Sequence, residues 1–353
     1  MLKTELMLRF LNWPDSSSVF FSRDISDLRV STDQTGTVTV KLYTDQVLKV
    51  TLSFHPVGGL ILLRTRDLLD GLLPLDGQIH AVILQAAAGN ESAQVSFRVI
   101  RGGAGNANSP MYPADYYLSA RPQIWKSYPS FPLPVIPFLL RDESSCQDPI
   151  DLIVYPVGLP ARRINLNSTH SRDATLETVS ELSLDPEILE DYPYGLRAYD
   201  FSLGGKIVRT IVMKDDARVR MFYFRNTFGQ LEEIYSTGVT KRDAGGAEYK
   251  TYTNRDVERE TGNDFKEKFI TDTGDIGSQA LVDYWTCFFR SNEHYIWLDG
   301  QQVRIILDEV SSGESTVGKI ASFTFSWHLA EQPTGRVIDY GALEPYQYEV
   351  PEF

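Results

Sequence analysis

The sequence is poor in cysteine and histidine, the residues that form disulfides and most zinc sites. Its 353 residues include two cysteines, Cys146 and Cys287, and five histidines that are never close neighbours. Zinc sites need such ligands in pairs at short spacings, and disulfide-stabilised domains need several cysteines. The sequence therefore predicts two free thiols and no metal site.

Long apolar runs are also missing. The longest candidate, FPLPVIPFLL at 131–140, is broken by prolines and falls short of the about 18 residues that a membrane span needs. Glu5 and Arg9 interrupt the N-terminal segment, so it lacks the apolar centre of a secretory signal. We expect no membrane partner and, on these signals alone, a cytoplasmic location.

Basic residues are fewer than acidic residues. The 34 Lys and Arg residues face 47 Asp and Glu residues, which gives a net charge of −13. Such a charge repels phosphate backbones and anionic lipid surfaces, so we expect no nucleic-acid partner. The hydrophobic share of 42% is that of a globular protein. The chain is longer than a single hydrophobic core usually supports, so we expect more than one domain.

What the sequence does contain is alternation of apolar and polar residues over short runs. Val38, Val40 and Leu42 alternate with polar neighbours, and the same pattern occurs along most of the chain. The pattern predicts a mainly β protein with tandem antiparallel β-sandwich-like domains. The predicted divisions are an N-terminal β-sandwich-like domain (1–103), a Pro/aromatic-rich connector (104–137), a second β domain (138–205), a C-terminal β domain (206–335) and a tail (336–353).

The C-terminal domain carries three further expectations. Alternating runs at 206–213 and 219–225 predict a hairpin closed by the linker 214–217. The polar tract 240–264 predicts an exposed loop or hairpin arm. Apolar residues at helical spacing predict one amphipathic helix over about 278–290, packed on the sheet of this domain and capped by Ser278; they are Leu281, Tyr284, Trp285 and Phe288.

The connector supplies the candidate binding residues. Its prolines exclude a long helix or a central strand, so its aromatic side chains either bind a glycan or partner or pack against the neighbouring domains. The candidate partner or glycan contacts are Tyr116, Tyr117, Trp125 and Tyr128.

Motifs for catalysis are weak. Asp272-Thr273-Gly274 matches the tripeptide that carries the catalytic aspartate of aspartic proteases, but the chain has no second copy to complete the pair of carboxylates. A polar turn before a helix explains the same residues. Adjacent acids, such as Glu232-Glu233 and Asp308-Glu309, are typical of solvated surface. No phosphate-binding loop or nucleophile elbow is present, so we predict neither enzymatic activity nor a cofactor.

Three segments together resemble a known class of proteins. They are YYLSARP at 116–122, FYFRNTFG at 222–229 followed by YSTG at 235–238, and the helix end FRS at 289–291 followed by YIWL at 295–298. This succession resembles uncharacterised β-rich structural proteins encoded in the tail regions of bacteriophages and prophages. The resemblance implies a virion or tail-associated protein, with the polar arm and the connector as subunit contacts and no catalytic residues.

The sequence thus favours a non-enzymatic assembly protein whose partners are other virion or tail proteins or itself. The alternative is a carbohydrate-binding or adhesive β protein that uses the aromatic connector. A hydrolase that uses Asp272 is a distant third.

Overall fold

A computed structural model describes residues 8–13, 19–103, 117–139, 150–166, 179–192, 194–243, 248–254, 257–264, 267–314 and 320–330. The chain forms two compact units. Unit 1 comprises Met1–Ser119, Pro134–Ile211 and Thr227–Gln230, and unit 2 comprises Ala120–Leu133, Val212–Asn226 and Leu231–Phe353.

The described elements are three helices and many strands. The helices are α1 (Thr65–Leu72), α2 (Pro186–Glu190) and α3 (Gln279–Arg290). The strands before residue 200 begin with β1 (Arg9–Phe10), β2 (Val19–Phe21), β3 (Leu28–Ser31), β4 (Val38–Thr44), β5 (Val47–Phe54), β6 (Leu60–Leu63), β7 (Ile79–Ala88), β8 (Glu91–Ile100), β9 (Ile124–Ser127), β10 (Val135–Phe138), β11 (Ile150–Pro156), β12 (Arg162–Asn165), β13 (Ser180–Ser183) and β14 (Leu196–Leu203). The remaining strands are β15 (Lys206–Val212), β16 (Arg220–Arg225), β17 (Leu231–Ser236), β18 (Thr240–Asp243), β19 (Glu248–Asn254), β20 (Val257–Asp264), β21 (Lys268–Asp272), β22 (His294–Leu298), β23 (Gln301–Glu314) and β24 (Ile320–Leu329).

The N-terminal part of unit 1 is a two-sheet sandwich. One sheet has the order β1-β3-β6 and the other β2-β8-β7-β4-β5. Apolar side chains from both sheets meet in one core, for example Val30 and Ile61 from the first sheet and Val82 and Phe97 from the second. Strand β4 alternates buried and less buried residues, as a strand with one face on a core must. The pairing is antiparallel except between β2 and β8, which run parallel.

The second part of unit 1 is also built from antiparallel strands. Strand β14 pairs with β11 and β15, and β11 also pairs with β12. The β14–β15 turn has Gly204 and Gly205, both at positive φ, the backbone region that glycine reaches without strain. The predicted mainly β, sandwich-like architecture is confirmed.

Unit 2 is centred on a seven-stranded sheet with the order β17-β16-β22-β23-β24-β21-β18. Helix α3 packs on this sheet through aromatic rings: Phe288 contacts Phe222 at 5.9 Å and Phe325 at 5.6 Å between ring centroids. The Ser278 side chain accepts a hydrogen bond from the Leu281 backbone N–H at 3.3 Å and so caps the helix. The predicted helix, its cap and its place on the sheet are confirmed.

One predicted hairpin is wrong. Strand β15 pairs with β14, whereas β16 pairs with β17 and β22, so the runs at 206–213 and 219–225 do not pair with each other. The linker 214–217 lacks glycine and asparagine, the residues that two-residue hairpin turns favour. Two turns that do close hairpins contain glycine: Gly204-Gly205 joins β14 to β15, and Asp299-Gly300 joins β22 to β23 with both residues at positive φ.

The two units divide the chain differently from the predicted domain boundaries. Segments 1–103 and 138–205 belong to one unit, most of 206–335 belongs to the other, and the connector 104–137 contributes to both. Within unit 1, Val19, Phe21 and Ile100 of the N-terminal part share a small core with Leu118 and Leu139. Residues 104–116 and the tail 336–353 lie outside the described residues.

The predicted polar arm 240–264 contains three strands. Strand β18 pairs with β21 at the edge of the seven-stranded sheet, and β19 pairs with β20 as a separate two-stranded sheet. The described helices include none with the length and apolar character that crossing a membrane requires.

The aromatic core of unit 2 is expected to dominate the stability of that unit. Phe222 is fully buried among Phe288, Phe325 and Trp327. We expect Phe222→Ala to lower the free energy of unfolding by about 3–5 kcal/mol, because it removes the ring and leaves a cavity. Denaturant unfolding followed by tryptophan fluorescence measures this change.

The matched control is Ile306→Ala, since Ile306 lies in the same sheet with 46% of its surface exposed. We expect this variant to cost less than about 1 kcal/mol. Equal costs for the two variants would contradict the assignment of Phe222 to the core.

Candidate functional site

The most unusual group of side chains in unit 2 is a buried cluster of charges. Glu232 and Glu233 are neighbours on β17, and both are buried, at 0% and 4% exposure. The side chain of Arg121, which precedes β9, is 1% exposed. Buried charges are rare in proteins unless they are paired.

Short contacts hold this cluster together. Arg121 Nη2 lies 2.7 Å from Glu233 Oε2, and the Ala120 backbone N–H donates to Glu232 Oε2 at 3.2 Å. The Tyr284 hydroxyl of α3 donates to the Glu233 backbone carbonyl at 2.8 Å. The cluster therefore ties the 120–133 segment and α3 to strand β17.

Burial and neighbouring charge shift the pKa values in the cluster in opposite senses. Burial raises the pKa of Glu233 to about 7, although the Arg121 charge acts to lower it. Burial acts to lower the pKa of Arg121, but Glu233, Tyr284 and Glu232 together outweigh it and the pKa is raised. Burial also raises the pKa of Tyr284 well above its usual value. The Arg121 charge thus acts on two carboxylates, and burial outweighs its effect on the pKa of Glu233.

A cavity of about 320 Å³ lies beside this cluster, within unit 2. Its size falls in the lower range of small-molecule sites. Four of its fourteen lining residues are aromatic, and its two charged lining residues, Lys126 and Asp275, are exposed. The lining residues are Pro122, Ile124, Trp125, Lys126, Tyr128, Tyr235, Thr237, Thr273, Asp275, Ile276, Gly277, Ser278, Leu281 and Trp285.

Ring contacts hold the wall in place. The Tyr235 ring lies 5.2 Å from Tyr128, 5.9 Å from Trp125 and 5.8 Å from Phe131. The Trp125 ring also makes an edge contact with Tyr284 at 5.0 Å, and the Arg121 guanidinium lies 5.6 Å from its centroid. Aromatic and cation–π contacts of this kind add to the stabilisation from burial.

The structure brings together two of the four predicted contact residues. Trp125 and Tyr128 both line the cavity, and both are mostly buried. Tyr117 belongs to unit 1, where its hydroxyl donates to the Lys206 carbonyl at 3.1 Å and burial raises its pKa. Tyr116 lies outside the described residues.

Asp272 lies in a turn in which its carboxylate accepts two hydrogen bonds. Its Oδ1 accepts from the Gly274 backbone N–H at 2.8 Å, and its Oδ2 accepts from the Thr324 hydroxyl at 3.2 Å. Gly274 has a φ of +78°, and a Cβ atom there would lie 2.1 Å from Thr237 Oγ1. These contacts account for the Asp-Thr-Gly sequence as a turn between β21 and α3.

Sequence reasoning missed the buried cluster. It treated Glu232-Glu233 as surface acids, and this prediction is wrong: both carboxylates are buried. The other adjacent pair discussed above, Asp308-Glu309, is partly or fully exposed. The local sequence does not separate the two pairs, because Leu231 and Ile234 flank the buried acids just as Leu307 and Val310 flank the exposed ones.

Comparisons with known proteins add little. No family model matches the chain, and no curated protein matches it. Among solved structures, a chimeric titin Z1Z2-Z1Z2 tandem functionalised with a GRGDS peptide from fibronectin is similar over 60% of this chain and 97% of its own, with 10% identity and a TM-score of 0.17. A TM-score this low carries no conclusion about this protein.

Removal of the buried cation is expected to be costly. Arg121→Met keeps an apolar stem but leaves two buried carboxylates without a counter-ion, so we expect the free energy of unfolding to fall by about 3–5 kcal/mol. Arg218→Met is the control, because the Arg218–Asp216 pair is largely exposed and such pairs contribute little. Equal behaviour of the two variants in urea unfolding would refute a structural role for Arg121.

The raised pKa of Glu233 predicts a pH dependence. The folded-state pKa of about 7 lies above the ordinary value of 4.5, so between these values the folded protein binds more protons than the unfolded chain. The free energy of unfolding should therefore fall as the pH rises from about 4.5 to about 7, by at most about 1.4 kcal/mol per pH unit from this group.

The measurement is urea unfolding at several pH values across this window, for the wild type and for Glu233→Gln. The glutamine does not titrate, so the fall should be smaller in the variant whatever its absolute stability. Identical pH slopes for the two proteins would show that Glu233 ionises normally.

Proposed function

We propose that this protein is a non-enzymatic structural protein that assembles with copies of itself through the β19–β20 arm. The resemblance to phage and prophage tail proteins favours a tail or virion particle as the setting. The observation that carries the proposal is the arm, a two-stranded sheet of its own.

The arm has two open edges. Strands β19 and β20 pair with each other over Glu248–Asn254 and Val257–Asp264, and no third strand pairs with either in the part of the chain that the structure describes. An open edge presents backbone donors and acceptors in the arrangement that another strand pairs with. Addition of a strand to such an edge is a common mode of protein association.

The arm is also too small to be stable alone. A single two-stranded hairpin is marginally stable in water at best. Its sequence, EYKTYTNRDVERETGND, has few large apolar residues from which to build a core. Pairing with a neighbouring subunit supplies the missing third strand, so association and ordering of the arm support each other.

The charges of the arm favour a second copy as the partner. Lys250 and Arg259 lie in the same short hairpin as Glu248, Glu258 and Glu260. Because both signs are present in this sequence, a second copy of the arm meets charges of both signs rather than uniform repulsion. A single-sign arm would repel its own copy.

The experiment compares the full chain with a variant in which residues 246–265 are replaced by Asn-Gly. Light scattering behind size-exclusion chromatography, over a wide range of concentrations, should give oligomers that grow with concentration for the full chain and a monomer for the variant. The variant should keep the unfolding transition of the wild type, because the arm pairs outside the seven-stranded sheet.

Val57→Lys is the matched control, since Val57 is 83% exposed and lies in unit 1, outside the arm. It should assemble like the wild type. A full chain that stays monomeric at every concentration, or an armless variant that assembles equally well, would overturn the proposal.

A further inference from the structure

We propose that the aromatic cavity of unit 2 is a binding site for one pyranose ring of a neutral glycan. This site is separate from the β19–β20 arm and goes beyond the assembly function. Three features of the cavity carry the inference: its size, its aromatic wall, and two unpaired charges of opposite sign at its mouth.

The size fits a single sugar ring better than a long chain. At about 320 Å³, the cavity is at the lower end of the range for small-molecule sites. The cavity belongs wholly to unit 2, so the site is complete within one unit. A longer glycan would place its terminal residue inside and the rest in solvent.

The wall suits the C–H face of a pyranose. Trp125, Tyr128, Tyr235 and Trp285 all line the cavity. Where they border the cavity, aromatic rings present rigid apolar surface to a ligand. The C–H faces of a sugar ring match such surface.

The mouth discriminates between ligand charges. Lys126 and Asp275 both line the cavity and are exposed. Neither forms a hydrogen bond or ion pair with any described residue. A ligand with a single charge would be attracted by one of these side chains and repelled by the other, whereas hydroxyl groups donate to a carboxylate and accept from an ammonium group. A neutral polyol therefore satisfies both side chains without repulsion from either.

Saturation-transfer NMR with the full chain tests the proposal. The probes are the methyl glycosides of glucose, galactose, mannose and N-acetylglucosamine, with indole as an apolar ring without hydroxyl groups. We expect at least one glycoside to bind, with contacts to its C–H face, and indole to bind more weakly.

Two variants and one control locate the site. Leu281→Phe fills the cavity from α3, and Asp275→Asn removes the carboxylate without a change of shape; each should weaken glycoside binding at least tenfold. Asp283→Asn alters an exposed acid of α3 that lies outside the cavity lining, and this variant should bind like the wild type. Asp275→Asn also guards against a folding defect in Leu281→Phe, since Asp275 is exposed.

Several outcomes would overturn the inference. They are binding of indole without any glycoside, binding of no probe, and glycoside binding that both variants retain. Assembly is read separately by light scattering, so loss of sugar binding with intact oligomers concerns this site alone.

Discussion

The ion pair between Arg121 and Glu233 is the interaction on which the organisation of unit 2 depends. It holds the 120–133 segment against β17 at an N–O distance of 2.7 Å, with both side chains almost fully buried. A buried pair is not in itself a source of large stability, because both ions lose their hydration. The pair instead fixes the position of the 120–133 segment, because a guanidinium buried beside two carboxylates has few alternative places in the fold. Trp125, whose ring lies by that guanidinium, is fixed with it.

Many of the strands and the helix α3 could be predicted from the sequence, because hydrophobic alternation and helix capping involve residues that are close together in the chain. Strand β4 spans Val38–Thr44, where the alternation of Val38, Val40 and Leu42 predicts a strand, and α3 begins after Ser278. Both features depend on side chains a few residues apart. Which strands pair with each other depends on tertiary contacts instead. The runs at 206–213 and 219–225 were predicted to form a hairpin, but β15 pairs with β14 and β16 pairs with β17.

The candidate site was harder to predict from the sequence, because it too depends on tertiary contacts. The connector aromatics Trp125 and Tyr128 were identified as candidates, but their placement beside Tyr235 and Trp285 joins segments far apart in the chain. Glu232 and Glu233 looked like surface acids because composition makes most acids solvated. Only the position of Arg121, more than a hundred residues earlier in the sequence, makes their burial tolerable.

The same contacts explain why the aromatic cavity stays open instead of collapsing. Two wall residues are held by side chains that do not line the cavity: Trp125 by Arg121 and Tyr284, and Trp285 by Phe288 and Phe325. To fill the space, these rings would have to leave well-packed contacts, and interiors at that packing density resist such shifts. A rigid cavity loses little conformational entropy when a ligand enters, which favours affinity. The buried ion pair thus affects binding indirectly, because it fixes the tryptophan that forms one wall of the site.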